Sequence, residues 1–283
     1  MDCRLLFLCV LYRTKPELSA TLISLASIRP SVSKSNALVV WNNGAIGRLD
    51  DQQSIFCVLR AKFGVVDLID DEINQPLGKI YNNIYKKYRH AADAFCILDD
   101  DSSIPDGYID VFLAASSTCS VELYLPIVYH GPLLVSPIHQ DGRRFHNLEP
   151  GVMPARQVNA IASGMIIPTT TLDKFRFNER FVFYGADSEY VRRISEHGGN
   201  VCVMATQIQH VLSTESSRRA RLSDFKFSSL LQSFGLIGIL YGERSMAIYK
   251  ILRLSLRQSL FARRLLPIRL GIKMVLRVIR GSV

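Results

Sequence analysis

Three consecutive carboxylates, Asp99, Asp100 and Asp101, follow the apolar run Phe95-Cys96-Ile97-Leu98. Adjacent acids repel one another unless a cation or a set of donors neutralises them. In an extended backbone alternate side chains share a side, so Asp99 and Asp101 point one way and Asp100 the other. The outer pair can share a hard divalent ion, Mg²⁺ or Mn²⁺, with phosphate and water oxygens completing its shell. The plainer alternative is an acidic turn leading into Pro105-Asp106-Gly107.

For the first reading, the apolar run must be a buried strand with the carboxylates at its C-terminal end. That is the edge at which ligands bind in open α/β sheets. The chain supplies the rest of such a sheet. Leu5 to Tyr12 is a continuous apolar run, as in a strand covered on both faces. Pro16-Glu17 opens a helical pattern through Leu18, Leu22 and Leu25 that ends before Pro30. Ala37 to Trp41 reads as a second buried strand, closed by the turn Asn42-Asn43-Gly44. Ile55 to Leu59 and Val65 to Ile69 are weaker strand candidates, and Leu77 to Tyr88 reads as a helix. Strand and helix alternating at this spacing predict an α/β fold with right-handed crossovers.

From Glu122 to Pro168 apolar runs (Leu123 to Val128, Leu133 to Val135, Ala162 to Ile167) alternate with turns and a basic loop from Gln140 to His146, as in hairpins added to the sheet. A helix over Phe181 to Glu196 carries Asp187 and Glu189 near its start and ends at Gly198-Gly199. Val201 to Met204 is a last strand, with His210 beyond it.

The 283 residues are 48% hydrophobic and 21% charged, ample for a globular core. The six cysteines show neither a C-x-x-C nor a zinc-type spacing and read as core thiols of a reducing compartment. Leu5 to Leu11 is too short for a secretory apolar core and reads as the first strand. The net charge of +9 is unevenly placed. Residues 218–283 hold 14 basic and two acidic residues, a net of +12, which leaves the preceding part at −3. That asymmetry points to an anionic partner for the tail.

The ordered motifs resemble the inverting family 2 glycosyltransferases over roughly residues 4–215. The resemblance rests on Leu11-Tyr12-Arg13-Thr14 after the first strand, Trp41-Asn42-Asn43-Gly44 after the second, and Asn74 to Asn83 with its Gly78. It continues through Leu98-Asp99-Asp100-Asp101, Ala162-Ser163-Gly164, the segment Phe177 to Glu189, and His210. Any one motif is weak, and the ordered set is specific. The resemblance implies a GT-A fold, that is, a Rossmann-like mixed sheet binding a nucleotide-diphospho-sugar, as a catalytic domain over 1–215. Residues 216–283 are then a basic amphipathic helical extension. Two departures stand out: Asn42 where many members carry an Asp contacting base or ribose, and Ala186 where a Glu often precedes the catalytic Asp.

The resemblance assigns roles. Asp99 and Asp101 would hold the metal with His210 as third ligand, and an imidazole suits Mn²⁺ better than Mg²⁺. Asp187 is the candidate base for the acceptor hydroxyl, at a helix N-terminus that favours negative charge, with Glu189 as the alternate. Either acid could instead cap the helix or pair with Arg192 or Arg193. Asn42, Asn74, Gly78, Lys79, Asp99 and Asp100 are candidates for the nucleotide pocket, and Arg143, Arg144 and Arg156 for diphosphate oxygens. Trp41 reads as core. The donor would be a UDP-, dTDP- or GDP-sugar. The acceptor would be a lipid-linked or oligosaccharide glycan, as in O-antigen or rhamnosyl-type surface polysaccharide assembly. The rival enzyme is a nucleotidyltransferase, whose glycine-rich basic signature after the first strand is absent. The rival outside catalysis is a basic membrane- or nucleic-acid-binding scaffold.

In the tail, Phe227 to Gly242 is 16 residues without a charge, short of the ~20 needed to span a bilayer. Lys250, Arg253, Arg257 and Arg264 then fall on one helical face, Pro267 breaks the run, and Arg269, Lys273, Arg277 and Arg280 repeat it. This pattern suits an interfacial helix on anionic lipid, and hence a cytoplasmic protein held peripherally on the inner face of the cell membrane. No recognised nucleic-acid motif accompanies the charge, so no nucleic-acid partner is expected.

Overall fold

The structure, a computed structural model, describes residues 3–29, 35–45, 47–141, 144–156, 158–210 and 222–283. It forms two compact units. The first comprises Met1–Gln75, Ile80–Phe177 and Tyr190–Val211, and the second Pro76–Lys79, Asn178–Glu189 and Leu212–Val283.

The first unit is built on a mixed sheet. Its strands are β1 (Leu5–Leu11), β2 (Ala37–Asn43), β3 (Val65–Asp71), β4 (Ala94–Asp99), β5 (Ser102–Ser103), β6 (Leu123–His130), β7 (Leu133–Ser136), β10 (Gly151–Pro154), β12 (Met165–Pro168) and β13 (Asn200–His210). The order is β10-β13-β6-β12-β4-β1-β2-β3, with β5 beside β13 and β7 beside β6. β4, β1, β2 and β3 are mutually parallel, whereas β12 enters antiparallel between β4 and β6. A separate three-stranded sheet joins β8 (Ile138–Asp141), β9 (Arg144–Asn147) and β11 (Val158–Asn159).

Every residue of β1 is buried, as the continuous apolar run predicts. Its odd-numbered side chains, Leu5, Phe7, Cys9 and Leu11, enter one core with Leu22, Leu25, Phe56, Leu59, Cys96, Leu98 and Phe112. Leu22 and Leu25 come from α1 (Ala20–Ser27), Phe56 and Leu59 from α2 (Ser54–Lys62), and Phe112 from α4 (Tyr108–Thr118); α3 is Leu77–Tyr88. The predicted α3 has the expected bounds. Trp41 is buried at the end of β2, as the sequence reading had it.

Several boundaries differ from the sequence reading. Ile55 to Leu59 is helical, not extended. Phe56 and Leu59 are buried while Val58 is exposed, and a three-residue spacing of the inward side chains is a helical period. The helix expected from Phe181 starts only at Ala186 and runs to Glu196 as α6, after the short α5 (Thr169–Lys174). The last strand continues six residues past Met204, so His210 ends β13 rather than following it. The strand expected from Ala162 begins at Met165, because Gly164 turns the chain at φ +77°. A Cβ at Gly164 would lie 2.3 Å from Ile208 Cδ1 and 2.8 Å from Pro126 Cγ. Gly164→Ala therefore combines a disfavoured backbone with overpacking, and a loss of roughly 2–5 kcal/mol is expected in denaturant unfolding. A loss under about 0.5 kcal/mol would contradict this placement.

The second unit contains α7 (Asp224–Leu240), α8 (Arg244–Ala262) and α9 (Leu266–Arg280). Leu222, Phe227, Leu231, Ile251, Met274 and Val278 form its core, and Phe181, Ala186 and Leu236 form a smaller cluster. The Ser223 side chain caps α7 by accepting from Lys226 N at 3.3 Å. Arg264 lies beyond the end of α8, which closes at Arg263 in a left-handed conformation, and it pairs with Asp224 instead of extending the basic face. Pro267 sits in the first turn of α9, where its missing N–H costs nothing. Among the described residues no helix is long and apolar enough to cross a membrane.

Candidate functional site

β4 lies between β1 and β12, so Asp99 ends a strand paired on both sides. The chain then turns through Asp100 and Asp101 into β5, which pairs with the end of β13 and sets Ser102 opposite His210. That register joins residues more than a hundred positions apart. Ligand-type atoms of Asp99, Asp101 and His210 all lie within 4.8 Å of one another. His210 Nδ1 is 3.1 Å from Asp101 Oδ1, 3.0 Å from Ser102 Oγ and 3.4 Å from Ser163 Oγ. Ser163 Oγ donates to Asp99 Oδ2, and His130 Nδ1 contacts the His210 carbonyl oxygen at 2.9 Å.

Asp100 lies in the turn after β4, and its side chain is held elsewhere. Its Oδ2 accepts from Tyr12 N at 3.2 Å, and its carbonyl accepts from Ser19 Oγ at 2.8 Å. Beside this contact Arg13 holds a left-handed backbone at φ +58°, an uncommon state for a non-glycine residue. Thr21 Oγ1 donates to Asp99 O and accepts from Ser102 N at 3.0 Å, fixing the acidic turn from α1.

Burial is the largest influence on Asp99 and Asp100, and it raises both carboxyls above the ordinary carboxylate value. At His210 burial opposes the charged form. Asp101, Asp99 and Asp100 together outweigh it, so the imidazole is raised above its usual value. Asp101 Oδ1 is buried without a hydrogen-bond partner of acceptable geometry, despite its approach to His210 Nδ1. Two carboxylates and one imidazole with an orphaned acceptor among them fit a divalent ion of the Mn²⁺ type.

A pH dependence follows. Raised folded-state values at Asp99 and His210 mean that their protonated forms are the better folded ones. Metal-free stability should therefore decline as pH rises through those values. A bound ion takes the deprotonated forms, so its stabilising effect grows in the same direction. The rise in melting temperature produced by Mn²⁺ is expected to be small below the ordinary imidazole value of 6.5 and to increase well above it. A pH-independent increment would oppose this account.

The second group of candidates lies at the ends of β2 and β3. The Asn42 side chain donates to Gly47 O at 2.9 Å and to Asp70 Oδ1 at 2.8 Å. Asn43 donates to Asn74 Oδ1 at 2.9 Å and to Gln75 O at 3.0 Å, and accepts from Gln75 N at 2.8 Å. Asn42 thus brings an acid, Asp70, to the strand end where its own side chain carries none. Asn43 fixes the Asn74–Gln75 backbone. Gly78 and Lys79 occupy the first turn of α3 and belong to the second unit. Arg156 is exposed, and Arg143 lies outside the described residues.

Asp187 and Glu189 lie in the first turn of α6, also in the second unit. Asp187 is part-buried and accepts from Ser188 N at 2.7 Å. Glu189 is buried and accepts from Tyr241 Oη of the C-terminal helices at 3.3 Å.

Sequence reasoning missed Asn43, Asp70, Ser102 and the hydroxyl of Ser163 as parts of these clusters. The doubled Asn42-Asn43 and the small-residue loop at 162–164 were the available signals. Ser102 and Asp70 carried none, because strand register alone places them.

No family model matches the chain, and no curated protein matches it in sequence. Solved structures do. S. aureus TarS 1–349 in complex with UDP-GlcNAc has a TM-score of 0.60 at 14% identity, covering 98% of this chain and 81% of that one. TarS 1–349 without a named ligand gives 0.55 at 13%, covering 97% and 90%. GalNAc-T7 with UDP, GalNAc and Mn²⁺ gives 0.58 at 11%, covering 84% of this chain and 48% of that one. The chain thus spans about half the length of the GalNAc-T7 chain. These likenesses are of fold: the chain adopts the GT-A arrangement that the resemblance implies.

Proposed function

We propose that the chain is a metal-dependent inverting glycosyltransferase. It would move a sugar from a nucleotide-diphosphate donor to a hydroxyl of a glycan acceptor, lipid-linked in surface-polysaccharide assembly. The observation that carries this reading is the convergence of Asp99, Asp101 and His210 at the C-terminal end of a parallel-strand core. The solved structures of the same fold that contain UDP-GlcNAc, or UDP with GalNAc and Mn²⁺, support it.

Transfer makes three demands, namely a stabilised leaving diphosphate, a deprotonated acceptor hydroxyl, and in-line placement of the two. When bound, the ion would neutralise charge developing on the diphosphate oxygens. Asp99, Asp101 and His210 would hold it, with Ser163 orienting the Asp99 carboxylate and Thr21 fixing the backbone at Asp99 and Ser102. Asp187 would take the proton as the acceptor oxygen bonds to the anomeric carbon and the bond to the diphosphate breaks. The buried Glu189, hydrogen-bonded to Tyr241, would fix the helix turn that presents Asp187. Asn42 with Asp70, and Asn43 with Asn74, would form the wall for base and ribose.

Thermal shift with UDP, dTDP and GDP, each with and without Mn²⁺, tests the donor class. Product analysis then separates the chemistries. Release of a nucleoside diphosphate supports sugar transfer, whereas release of pyrophosphate reassigns the chain as a nucleotidyltransferase. No metal-dependent shift with any of the three would remove the proposal.

A further inference from the structure

Among the described residues, thirteen of the twenty-one large apolar side chains left exposed fall in residues 222–283. This concentration coincides with the strongly basic tail, and the two sets are ordered. On α8 the exposed Tyr249, Leu252 and Leu256 are each followed by a base, Lys250, Arg253 and Arg257. On α9 the exposed Ile272, Leu276 and Ile279 are followed by Lys273, Arg277 and Arg280. All six bases are exposed. A step of one residue is about 100° round a helix, so each helix carries an apolar stripe with a basic stripe beside it.

Contacts within the bundle orient those stripes. Gly238 of α7 lies against Ala247 of α8, Gly235 of α7 against Met274 and Val278 of α9, and Gly271 of α9 against Ser255 of α8. Going round α8 in the direction of increasing residue angle, the contact with α7, the contact with α9, the apolar stripe and the basic stripe follow in turn. Round α9 the sequence is α7, α8, apolar, basic. In both helices the apolar stripe borders the α8–α9 seam on the side away from α7. The bases form the two outer margins.

We propose that this face of the α8–α9 hairpin is a monotopic docking surface for an anionic lipid leaflet, with the apolar stripes inserted along the seam and the basic margins on the headgroups. Charge complementarity selects this occupant. Residues 218–283 carry a net of +12, which opposes a second copy presenting the same margins. An apolar centre rimmed by bases is the arrangement an interfacial helix uses on anionic lipid. The inference stands on the helical unit alone and does not depend on the transfer reaction.

Flotation of the full chain with vesicles of phosphatidylcholine containing phosphatidylglycerol, and with phosphatidylcholine alone, tests it. Binding is expected to the mixed vesicles, weakened but not abolished by high salt, because insertion is not screened. The triple variant Leu252→Ser/Leu256→Ser/Ile272→Ser should lose at least about tenfold in partitioning at any salt. Arg253→Gln/Arg257→Gln/Lys273→Gln should lose roughly a hundredfold on the anionic vesicles, with little change on neutral ones. The single variant Leu256→Glu, at an exposed position, serves if a triple variant melts early. Full chain left in the aqueous phase, or apolar variants that float like the parent, would overturn the proposal. So would a parent oligomer that these substitutions disperse without any vesicle binding, since the occupant would then be a second copy.

Discussion

Asp101→Ala is expected to abolish Mn²⁺-dependent nucleotide binding while leaving a folded protein. Asp101 Oδ1 is buried, has no hydrogen-bond partner and faces His210 Nδ1 at 3.1 Å. An acceptor left in that state is costly unless something else occupies its lone pairs. Its removal relieves repulsion with Asp99 and Asp100 while withdrawing the acid that most favours protonated His210, so the metal-free variant should stay folded, with little change in melting temperature well above the ordinary imidazole value. Groups that only orient metal ligands typically contribute 10–100-fold in affinity. A direct ligand should therefore contribute at least about a hundredfold. Titration calorimetry of UDP with and without Mn²⁺ measures it. Unchanged affinity in Mn²⁺ would exclude Asp101 from the ligand set. Ser163→Ala is the companion: its hydroxyl contacts Asp99 Oδ2 and His210 Nδ1 and stands outside the proposed ligand set, so a loss of about tenfold is expected there.

The other large effect concerns proton removal. Asp187→Asn preserves size and the hydrogen bond from Ser188 N but withdraws the carboxylate proposed as the base. Transfer should fall at least ~10²-fold, the usual scale of general-base catalysis, with donor affinity nearly unchanged. Glu189→Gln should behave differently. Glu189 is 3% exposed and accepts from Tyr241, and an amide can still accept that bond. Its effect should be a modest loss of stability and rate together, reproduced by Tyr241→Phe. Should Glu189→Gln stop transfer while Asp187→Asn does not, the two roles are exchanged.

Much of the frame was legible because it depends on local period. The unbroken apolar run at Leu5–Leu11 announces a strand covered on both faces, and all seven residues are buried. Apolar residues leading into Asp99, Asp100 and Asp101 place acids at a strand end; the extended backbone expected through all three gives way to a turn after Asp99, and the bond from Tyr12 N holds Asp100 apart from the other two. Where the period was short or ambiguous the reading failed. Ile55 to Leu59 holds five residues, too few to distinguish a buried strand from one helical turn and a half. The start of α6 was misjudged because Phe181 to Gly185 is apolar without being helical.

By itself the sequence determined that this chain is an α/β protein with a carboxylate cluster on a strand end and a basic, amphipathic C-terminus. These properties are written in neighbouring residues. The tertiary structure decided which groups meet. The pairing of β5 with β13 delivers His210 to Asp101 and Ser102, and the turn at Gly164 sets Ser163 between His210 and Asp99. Asn42 finds Asp70 and Asn43 finds Asn74 only because β2 and β3 run in register. On α8 and α9, helical period could segregate charge from apolar surface, but only bundle packing could say which apolar residues stay outside and that two stripes share one seam. Register and packing depend on contacts between distant segments, and no local pattern encodes them.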